Sequence, residues 1–144
     1  MAKAKGRTGA TPRLSKAERE LVDASLQAMK RAYAPYSHFR VGAALRAADG
    51  RVFEGCNVET ASYGATVCAE RNAVAAAVVA GATAFDRLAI ATRTSPPSPP
   101  CGLCRQVLGE FAPDLKILLV NPEGEVVRSN LSKLLPMNFD KDHL

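Results

Sequence analysis

Three of the four cysteines lie in two short segments, and this arrangement constrains the chain more than any other feature of its sequence. Cys68 is followed two residues later by Glu70, and Cys101 and Cys104 form a Cys-x-x-Cys pair after a proline. Three protein ligands are typical of a catalytic zinc site, which keeps a fourth position open, whereas a structural site closes with four. The pattern therefore predicts a zinc ion held by these three cysteines. Glu70 would lie beside the metal as the group that transfers protons.

Both cysteine segments are predicted to lie at the N-termini of helices. Residues 67–80 are rich in alanine, and Gly81 follows where a helix C-terminus favours glycine. Residues 101–111 follow a proline, which suits the first turn of a helix. The free N–H groups and positive ends of the two helix dipoles would face the thiolates. Arg71 and Arg105, each next to a cysteine in sequence, are further candidates to offset the negative charge on the sulfur atoms.

Two non-enzymatic interpretations of the cysteines stay open at this point. A Cys-x-x-Cys pair also occurs in redox proteins, although Cys68 and Glu70 would then have no role and no thioredoxin-like segment precedes the pair. A structural zinc site would need a fourth ligand, for which Cys56 and His38 are the candidates. Otherwise we interpret Cys56 as a buried, inert cysteine. The number of protein ligands separates these interpretations from a catalytic site.

The rest of the sequence predicts an α/β layered domain. Ser15 and Glu18 have capping-box spacing, so a first helix begins there and ends before Pro35. Apolar patterns and turn residues predict five strands and a short last helix, at residues 39–48, 51–58, 87–93, 115–121, 126–129 and 131–135. With helices between the strands, this order predicts a mixed sheet.

Composition and charge limit the partners of the protein. The 144 residues are 47% hydrophobic and 23% charged, which is ordinary for one globular domain. Four basic residues and no acid in residues 1–13 account for most of the net charge of +5. We therefore expect a flexible basic tail at residues 1–14, a single domain at residues 15–144, and no nucleic-acid partner.

The sequence also predicts where the protein works. No apolar run reaches the roughly 20 residues of a membrane span, and the N-terminus lacks the apolar region of a secretory signal. Cysteines spaced for metal binding favour a reducing environment. We expect no membrane partner and a cytoplasmic location.

Several sequence runs, taken in order, resemble one family over the chain from about Ser15 to its C-terminus. The runs are Ala-Pro-Tyr-Ser at 34–37, Val-Gly-Ala-Ala at 41–44, Gly-Cys-Asn-Val-Glu at 55–59, Ala-Ser-Tyr-Gly at 61–64, Cys-Ala-Glu-Arg at 68–71 and Pro-Cys-Gly-Leu-Cys-Arg-Gln-Val-Leu at 100–108. Together they resemble the small, homotetrameric, three-cysteine cytidine deaminases. The resemblance implies a three-layer α-β-α domain with a mixed five-stranded sheet and one zinc ion per subunit. It also implies hydrolytic deamination of cytidine, and of deoxycytidine, to the uracil nucleoside plus ammonia, in pyrimidine salvage.

The resemblance assigns roles to individual residues. The three cysteines would bind zinc, and Glu70 would shuttle protons. Arg71 would donate hydrogen bonds to the thiolates. Phe139 would reach the pocket of a neighbouring subunit, which makes assembly into a homotetramer a condition for activity. The residues implied to contact the nucleoside are Phe39 (packing on the pyrimidine), Asn57 and Glu59 (at the ribose 3′-hydroxyl), Ala69 (through its backbone N–H) and Tyr63.

Two further points follow from the same runs. Blasticidin-S-type aminonucleoside deaminases share the zinc motifs, but the runs at 57–59 and 61–64 favour ordinary nucleosides. The sequence departs from the family at Arg40, where Pro or Lys is frequent, at Thr60, where Asn is common, and at Pro99, which replaces a usual Ser. None of these departures affects the metal ligands or Glu70, so they bear on substrate preference and not on the reaction.

Overall fold

The computed structural model describes residues 13–144, so the tail predicted at residues 1–14 lies almost entirely outside the described residues. Two short 3-10 helices, Tyr63–Ala65 and Lys141–His143, accompany the regular elements. Within residues 13–144, none of the helices is both long and apolar enough for a membrane span. The helices are α1 (Lys16–Lys30), α2 (Ala69–Val79), α3 (Gly102–Phe111) and α4 (Leu131–Leu134), and the strands are β1 (Gly42–Ala47), β2 (Val52–Cys56), β3 (Phe85–Ala91), β4 (Lys116–Val120) and β5 (Val126–Asn130).

The five strands form one mixed sheet in the order β2-β1-β3-β4-β5. Strands β3 and β4 are parallel and are joined through α3, while the other neighbouring pairs are antiparallel. The carboxyl ends of β3 and β4 therefore lie side by side, at the edge of the sheet where α/β proteins commonly bind ligands. The predicted α/β class with a mixed five-stranded sheet is confirmed.

Alternate residues of each central strand face two separate cores, as expected for a sheet covered on both sides. Ala43 and Leu45 of β1 face the core that α2, α3 and α4 cover, whereas Ala44 faces the core that α1 covers. The side chains of β3 and β4 alternate in the same way. The domain is thus the three-layer α-β-α arrangement predicted from the resemblance.

The N-terminus of α1 is fixed to the sheet by a buried carboxylate. Ser15 and Glu18 form the predicted capping box, and Glu18 also forms ion pairs with Arg87 of β3 and Arg128 of β5. The hydrogen bond from Arg128 is the main reason that the pKa of Glu18 falls to about 2. Arg128 in addition donates to the carbonyl of Arg13 at 3.1 Å, so the end of the predicted tail contacts the domain.

Two element boundaries differ from the sequence prediction near the site. Helix α1 ends at Lys30 and not at the proline, because the backbone of Tyr33 pairs with Val58 beyond the end of β2. Strand β1 begins at Gly42 and not at residue 39. The preceding backbone turns away from the sheet at His38, whose φ is 56°. Residues 39–41 are therefore a loop.

Helix α2 begins two residues later than predicted, at Ala69, and the reason is again a long-range pairing. Val67 exchanges two backbone hydrogen bonds with Val58, both 3.0 Å long. This bridge keeps Val67 extended and leaves Cys68 as the N-cap residue. The pairing therefore sets the position of the first cysteine relative to the sheet.

Glycine permits helices to approach the sheet closely on both faces. A Cβ atom at Gly42 would lie 2.0 Å from the carbonyl oxygen of Ser25 in α1, and one at Gly55 would lie 2.2 Å from the carbonyl oxygen of Ala69 in α2. Both distances are far below van der Waals contact, and the obstructing atoms are backbone atoms that cannot rotate away. The depth at which α2 sits on β2 therefore depends on Gly55.

Replacing this glycine should both destabilise the domain and disturb the start of α2. We expect Gly55→Ala to lower the free energy of unfolding by about 1–3 kcal/mol, the usual cost of overpacking. Zinc content should fall as well, because the same helical turn carries Cys68. The measurement is chemical denaturation together with metal analysis of the purified protein.

Gly64→Ala is the matched control, since a Cβ there meets no atom within 4 Å and Gly64 is not in the left-handed region. If Gly55→Ala were as stable as this control and retained all its zinc, the close approach would not position the helix.

Candidate active site

The three predicted zinc ligands lie together at the N-termini of α2 and α3. The sulfur atoms of Cys68, Cys101 and Cys104 are all within 4.8 Å of one another, and Cys68 Sγ is 3.7 Å from Cys101 Sγ. Sulfur atoms that share a tetrahedral zinc ion at bond lengths of about 2.3 Å are about 3.8 Å apart. The donor atoms and their spacing therefore fit zinc.

Local structure explains why the two helices present their cysteines in this way. Cys68 and Cys101 are the N-cap residues of α2 and α3, and neither caps its helix through its own side chain. Both side chains are thus free to act as ligands. Cys104 is in the first turn of α3 and fully buried. The prediction that these residues occupy helix N-termini agrees with the structure, with the refinement that two of them precede the first helical residue.

The environment of Cys68 favours the thiolate form of this residue. Hydrogen bonds from Cys104 and from Arg71 lower the pKa of Cys68 to about 5. The pKa of Cys104 is raised, first because this thiol donates to Cys68 and second because it is buried. In the protein without metal, Cys104 therefore keeps its proton beside the Cys68 thiolate, and zinc binding would displace that proton.

Arg71 lies where the resemblance implies. Its Nη2 donates to Cys68 Sγ at 3.6 Å and to the carbonyl oxygen of Thr66 at 3.4 Å. Its Nε is buried and has no hydrogen-bond partner among residues 13–144. A buried donor beside a group of sulfur atoms is suited to a site that carries net negative charge.

Arg105, the other predicted neighbour of the thiolates, has a different role. It donates to the carbonyl oxygens of Pro100 and Leu134, both at 2.8 Å. It therefore ties the segment before Cys101 to α4, and neither of these hydrogen bonds goes to sulfur. Adjacency along a helix does not decide which way a long side chain points, so the sequence could not indicate these partners.

Glu70 is buried beside the cysteines, in the first turn of α2. Its side-chain oxygen Oε2 is 3.6 Å from Cys104 Sγ, and the residue is 4% exposed. Burial is the main cause that raises the pKa of this carboxyl group above its usual range. A carboxylate in this position faces the same space as the sulfur atoms.

That space is a cavity of about 160 Å³ at the edge of the sheet where β2 and β3 end and β1 begins. Its walls combine the cluster with apolar and hydroxyl-bearing residues, namely Phe39, Val41, Asn57, Thr66, Cys68, Glu70, Ile90, Thr92, Ser98, Pro99 and Cys101. A small, partly apolar cavity with few polar groups is typical of a small-molecule site. Sequence reasoning did not select Thr66, Thr92 or Ser98, although Thr92, a polar residue directly after a buried strand, is a recognisable signal.

Phe39 and Asn57 line the cavity, and Asn57 holds the loop that carries Phe39. The Asn57 side chain accepts a hydrogen bond from the N–H of Val41 and donates one to the carbonyl oxygen of Phe39, both at 2.8 Å. Phe39 lies in the loop before β1 and not in a strand as predicted, and its ring is half-exposed. Asn57 retains one N–H and one lone pair for a ligand.

Glu59 and Tyr63 are not among the residues that line the cavity. Glu59 Oε1 accepts hydrogen bonds at 3.1 Å from the backbone N–H groups of Tyr36 and Ser37. Hydrogen bonds from Ser37, first from its side chain, lower the pKa of Glu59, so it is ionised at neutral pH. Tyr63 is largely exposed, and its ring packs edge-on against Tyr36 at 5.8 Å between centroids.

Ala69 and Phe139 complete the predicted set. Ala69 is fully buried and is the first residue of α2, so its N–H has no acceptor within the helix. Phe139 does not line the cavity of its own chain. Its carbonyl oxygen accepts a hydrogen bond from Gln106 at 2.7 Å, and its exposed ring stacks on His143 at 5.3 Å.

The structure also bears on the non-enzymatic interpretations. Within residues 13–144, no fourth histidine, cysteine or carboxylate belongs to the cluster, so neither Cys56 nor His38 closes it. All four cysteines are free thiols, and Cys56 lies at the end of β2 beside a different cavity. A three-ligand cluster next to a buried carboxylate is the arrangement of a catalytic zinc site and not of a structural one.

Fold and site together define the class of zinc-dependent deaminases. Residues 15–119 match the family model described as "Cytidine and deoxycytidylate deaminase zinc-binding region", and the chain belongs to this family. The resemblance to cytidine deaminases is confirmed, and with it the zinc cofactor and the enzymatic nature of the protein.

Relatives and solved structures agree with this membership. The chain is 44% identical over 126 residues to cytidine deaminase of Sporosarcina psychrophila, covering 87% of this chain and 93% of that protein. Its fold is similar to the crystal structure of cytidine deaminase from Burkholderia pseudomallei, with a TM-score of 0.81, 47% identity and coverage of 84% and 98%. Blasticidin-S deaminase of Bacillus cereus is more distant, at 28% identity over 137 residues, with coverage of 90% and 96%.

The cluster predicts a specific effect of removing one thiol. We expect one zinc ion per chain in the unmodified protein and a large loss of zinc in Cys101→Ser, because a serine hydroxyl is a poor substitute for a thiolate ligand. Elemental analysis after extensive dialysis measures the metal. Cys56→Ser is the matched control and should retain full zinc. Retention in Cys101→Ser, or equal loss in the control, would contradict the ligand assignment.

Proposed function

We propose that this protein catalyses the hydrolytic deamination of cytidine, and of deoxycytidine, giving the corresponding uracil nucleoside and ammonia. The observation that carries the proposal is the position of Glu70, a buried carboxylate 3.6 Å from a zinc-ligand sulfur and in the wall of the same small cavity. The deaminase family and the names of the relatives support the choice of substrate.

Glu70 would move the protons of the reaction. When bound, zinc lowers the pKa of a coordinated water to about 7 and so supplies a nucleophile at neutral pH. Glu70 would accept one proton from the attacking water and pass it to ring N3, which makes C4 of the pyrimidine electrophilic. After the water oxygen has added to C4, Glu70 would take the remaining hydroxyl proton and give it to the exocyclic nitrogen, so that C4=O forms, the C4–N bond breaks and ammonia leaves. One water molecule is consumed for each ammonia released.

The other predicted site residues would orient the nucleoside. Among residues 13–144, one N–H of the Asn57 amide has no acceptor, and the carboxylate of Glu59 has acceptor capacity beyond its hydrogen bonds from Tyr36 and Ser37, so both can bind the ribose 3′-hydroxyl. Phe39 offers its ring to the face of the pyrimidine. The N–H of Ala69, which has no acceptor within its own helix, would donate to the carbonyl oxygen of the base.

The decisive variant is Glu70→Gln, which keeps the size and burial of the side chain but cannot carry a proton between steps. We expect zinc content and fold to be unchanged and turnover of cytidine to fall by at least about a hundredfold. The loss of absorbance as cytidine becomes uridine measures the rate. Glu110→Gln, an exposed carboxylate of α3 away from the cavity, is the matched control.

The same assay tests the substrate class. Cytidine, deoxycytidine and blasticidin S should be compared at equal enzyme concentration, and the first two should be converted. Conversion of blasticidin S alone would assign the chain to the alternative class, and near-normal turnover by Glu70→Gln would refute the proton-transfer scheme.

We propose further that the protein acts as a homotetramer in which Phe139 enters a neighbouring site. Phe139 is 59% exposed and lies outside the cavity of its own chain. The segments that adjoin the cavity-lining residues Phe39 and Asn57 in sequence expose several aromatic and apolar side chains, a feature typical of protein contact surfaces. They are Tyr33, Tyr36, Phe39, Val58 and Tyr63.

Mixing two inactive variants tests whether the site is shared. Phe139→Ala chains retain Glu70, and Glu70→Gln chains retain Phe139, so co-refolded mixtures should recover activity that neither variant has alone. Met137→Ala, at a neighbouring position that is still more exposed (95% against 59% for Phe139), should be fully active on its own. Absence of recovery in mixed oligomers, whose mass is verified by light scattering, would show that Phe139 does not serve a second chain.

The thiol ligands also bear on where in the cell the protein works. Thiolate ligands must stay reduced to bind zinc, and all four cysteines are free. We therefore propose a cytoplasmic location and a role in pyrimidine salvage, in which released nucleosides are returned to the uracil pool.

A further inference from the structure

The connection between β3 and α3 forms one wall of the cavity and has few backbone donors of its own. Residues 94–100 read Thr-Ser-Pro-Pro-Ser-Pro-Pro, so only Thr94, Ser95 and Ser98 have an N–H group. Such a segment cannot be held by a ladder of backbone hydrogen bonds. Its position must be set by side chains, and Ser98 and Pro99 both line the cavity.

Asn121 is the buried residue that holds this segment from outside the cavity. It follows β4 directly, is 1% exposed, and does not line the cavity. Its Nδ2 donates to the carbonyl oxygen of Thr94 at 3.1 Å and to Glu125 Oε2 at 2.6 Å, while its Oδ1 accepts from the N–H of Glu125 at 3.0 Å. Both amide protons are thus used.

Glu125 extends the connection to the next residue of the segment. Its other carboxylate oxygen, Oε1, accepts a hydrogen bond from Ser95 Oγ at 2.8 Å. Asn121 therefore binds the backbone carbonyl of Thr94, and Glu125 binds the side chain of Ser95. We call these four residues the loop clamp.

Hydrogen bonds among hydroxyl groups connect the loop clamp to the wall of the cavity. Thr94 Oγ1 is 2.7 Å from Ser98 Oγ and 3.2 Å from Thr92 Oγ1. Thr92 Oγ1 in turn accepts the N–H of Ser98 at 3.0 Å. Thr92 and Ser98 both face the cavity, so the position of its wall follows the position of Thr94.

We propose that Asn121 and Glu125 are positioning residues for substrate binding. They act through Thr94 and Ser95 to fix the wall formed by Ser98 and Pro99, and touch neither the metal ligands nor the nucleoside. This inference rests on the proposed function, because it concerns how the same cavity recognises its nucleoside. A wall that helps to bind substrate and transition state alike changes KM more than kcat.

The test uses Glu125→Ala, because Glu125 is exposed and belongs to neither hydrophobic core. We expect KM for cytidine to rise about three- to tenfold, as loss of one or two ordinary hydrogen bonds gives. The value of kcat, the zinc content and the thermal stability should stay close to those of the unmodified protein. Hydrogen exchange of the peptide spanning residues 92–101, measured on zinc-loaded protein without substrate, should become faster.

Two further variants make the result specific. Glu123→Ala removes a neighbouring exposed carboxylate that makes no hydrogen bond to residues 92–101, and should leave KM unchanged. Glu125→Gln should restore a near-normal KM, because the amide oxygen can accept from Asn121 while its NH₂ group donates to Ser95 Oγ.

An unchanged KM and unchanged exchange in Glu125→Ala would overturn the proposal. So would an equal loss of kcat, zinc and stability, which would indicate a merely structural role. Lack of any cytidine turnover by the unmodified protein would instead refute the proposed function, while the exchange measurement would still test whether the clamp orders the segment.

Discussion

Three sulfur atoms within 4.8 Å of one another are an electrostatic problem that the surrounding structure has to solve. As thiolates they repel each other, and the protein counters this with the N-termini of α2 and α3 and with the guanidinium of Arg71 at 3.6 Å from Cys68. Each solution requires a particular placement of a helix start. The three-layer arrangement supplies these placements, since both helices lie on one face of the sheet and begin at the same edge.

Zinc ligation was predictable from sequence, because it depends on residue type and on local signals that end or start helices. Cys101 follows a proline and Cys68 opens an alanine-rich segment, so their helical contexts could be deduced. The start of α2 could not be placed to the residue, since it is decided by the pairing of Val67 with Val58. Phe39 was placed in a strand because the apolar pattern does not reveal the positive φ at His38.

Contacts over long sequence distances account for the rest of what sequence did not reveal. Asn57 forms hydrogen bonds with Val41 and Phe39, which lie 16 and 18 positions earlier in the sequence. Glu18 accepts a hydrogen bond from Arg128, which lies 110 positions later. Nothing in the local pattern of a polar residue indicates such partners. A resemblance to a family can suggest that Asn57 binds sugar, yet only the fold indicates that the same amide also fixes the loop before β1. The side chains around the cavity are therefore largely ordered before a nucleoside arrives, which reduces the entropy lost on binding.

The two close approaches at Gly42 and Gly55 limit how this domain can diverge. In each case, the partner atoms are backbone, and α2 further presents the fully buried Ala69, Ala73 and Ala77 to the sheet. At these two points no smaller side chain in the helix could make room for a larger residue in the strand, because the obstructing atoms are backbone. A substitution at either contact would therefore require the strand and the helix to change together. The distance between sheet and helices near the cavity should vary less among evolutionary descendants than the conformations of the surrounding loops.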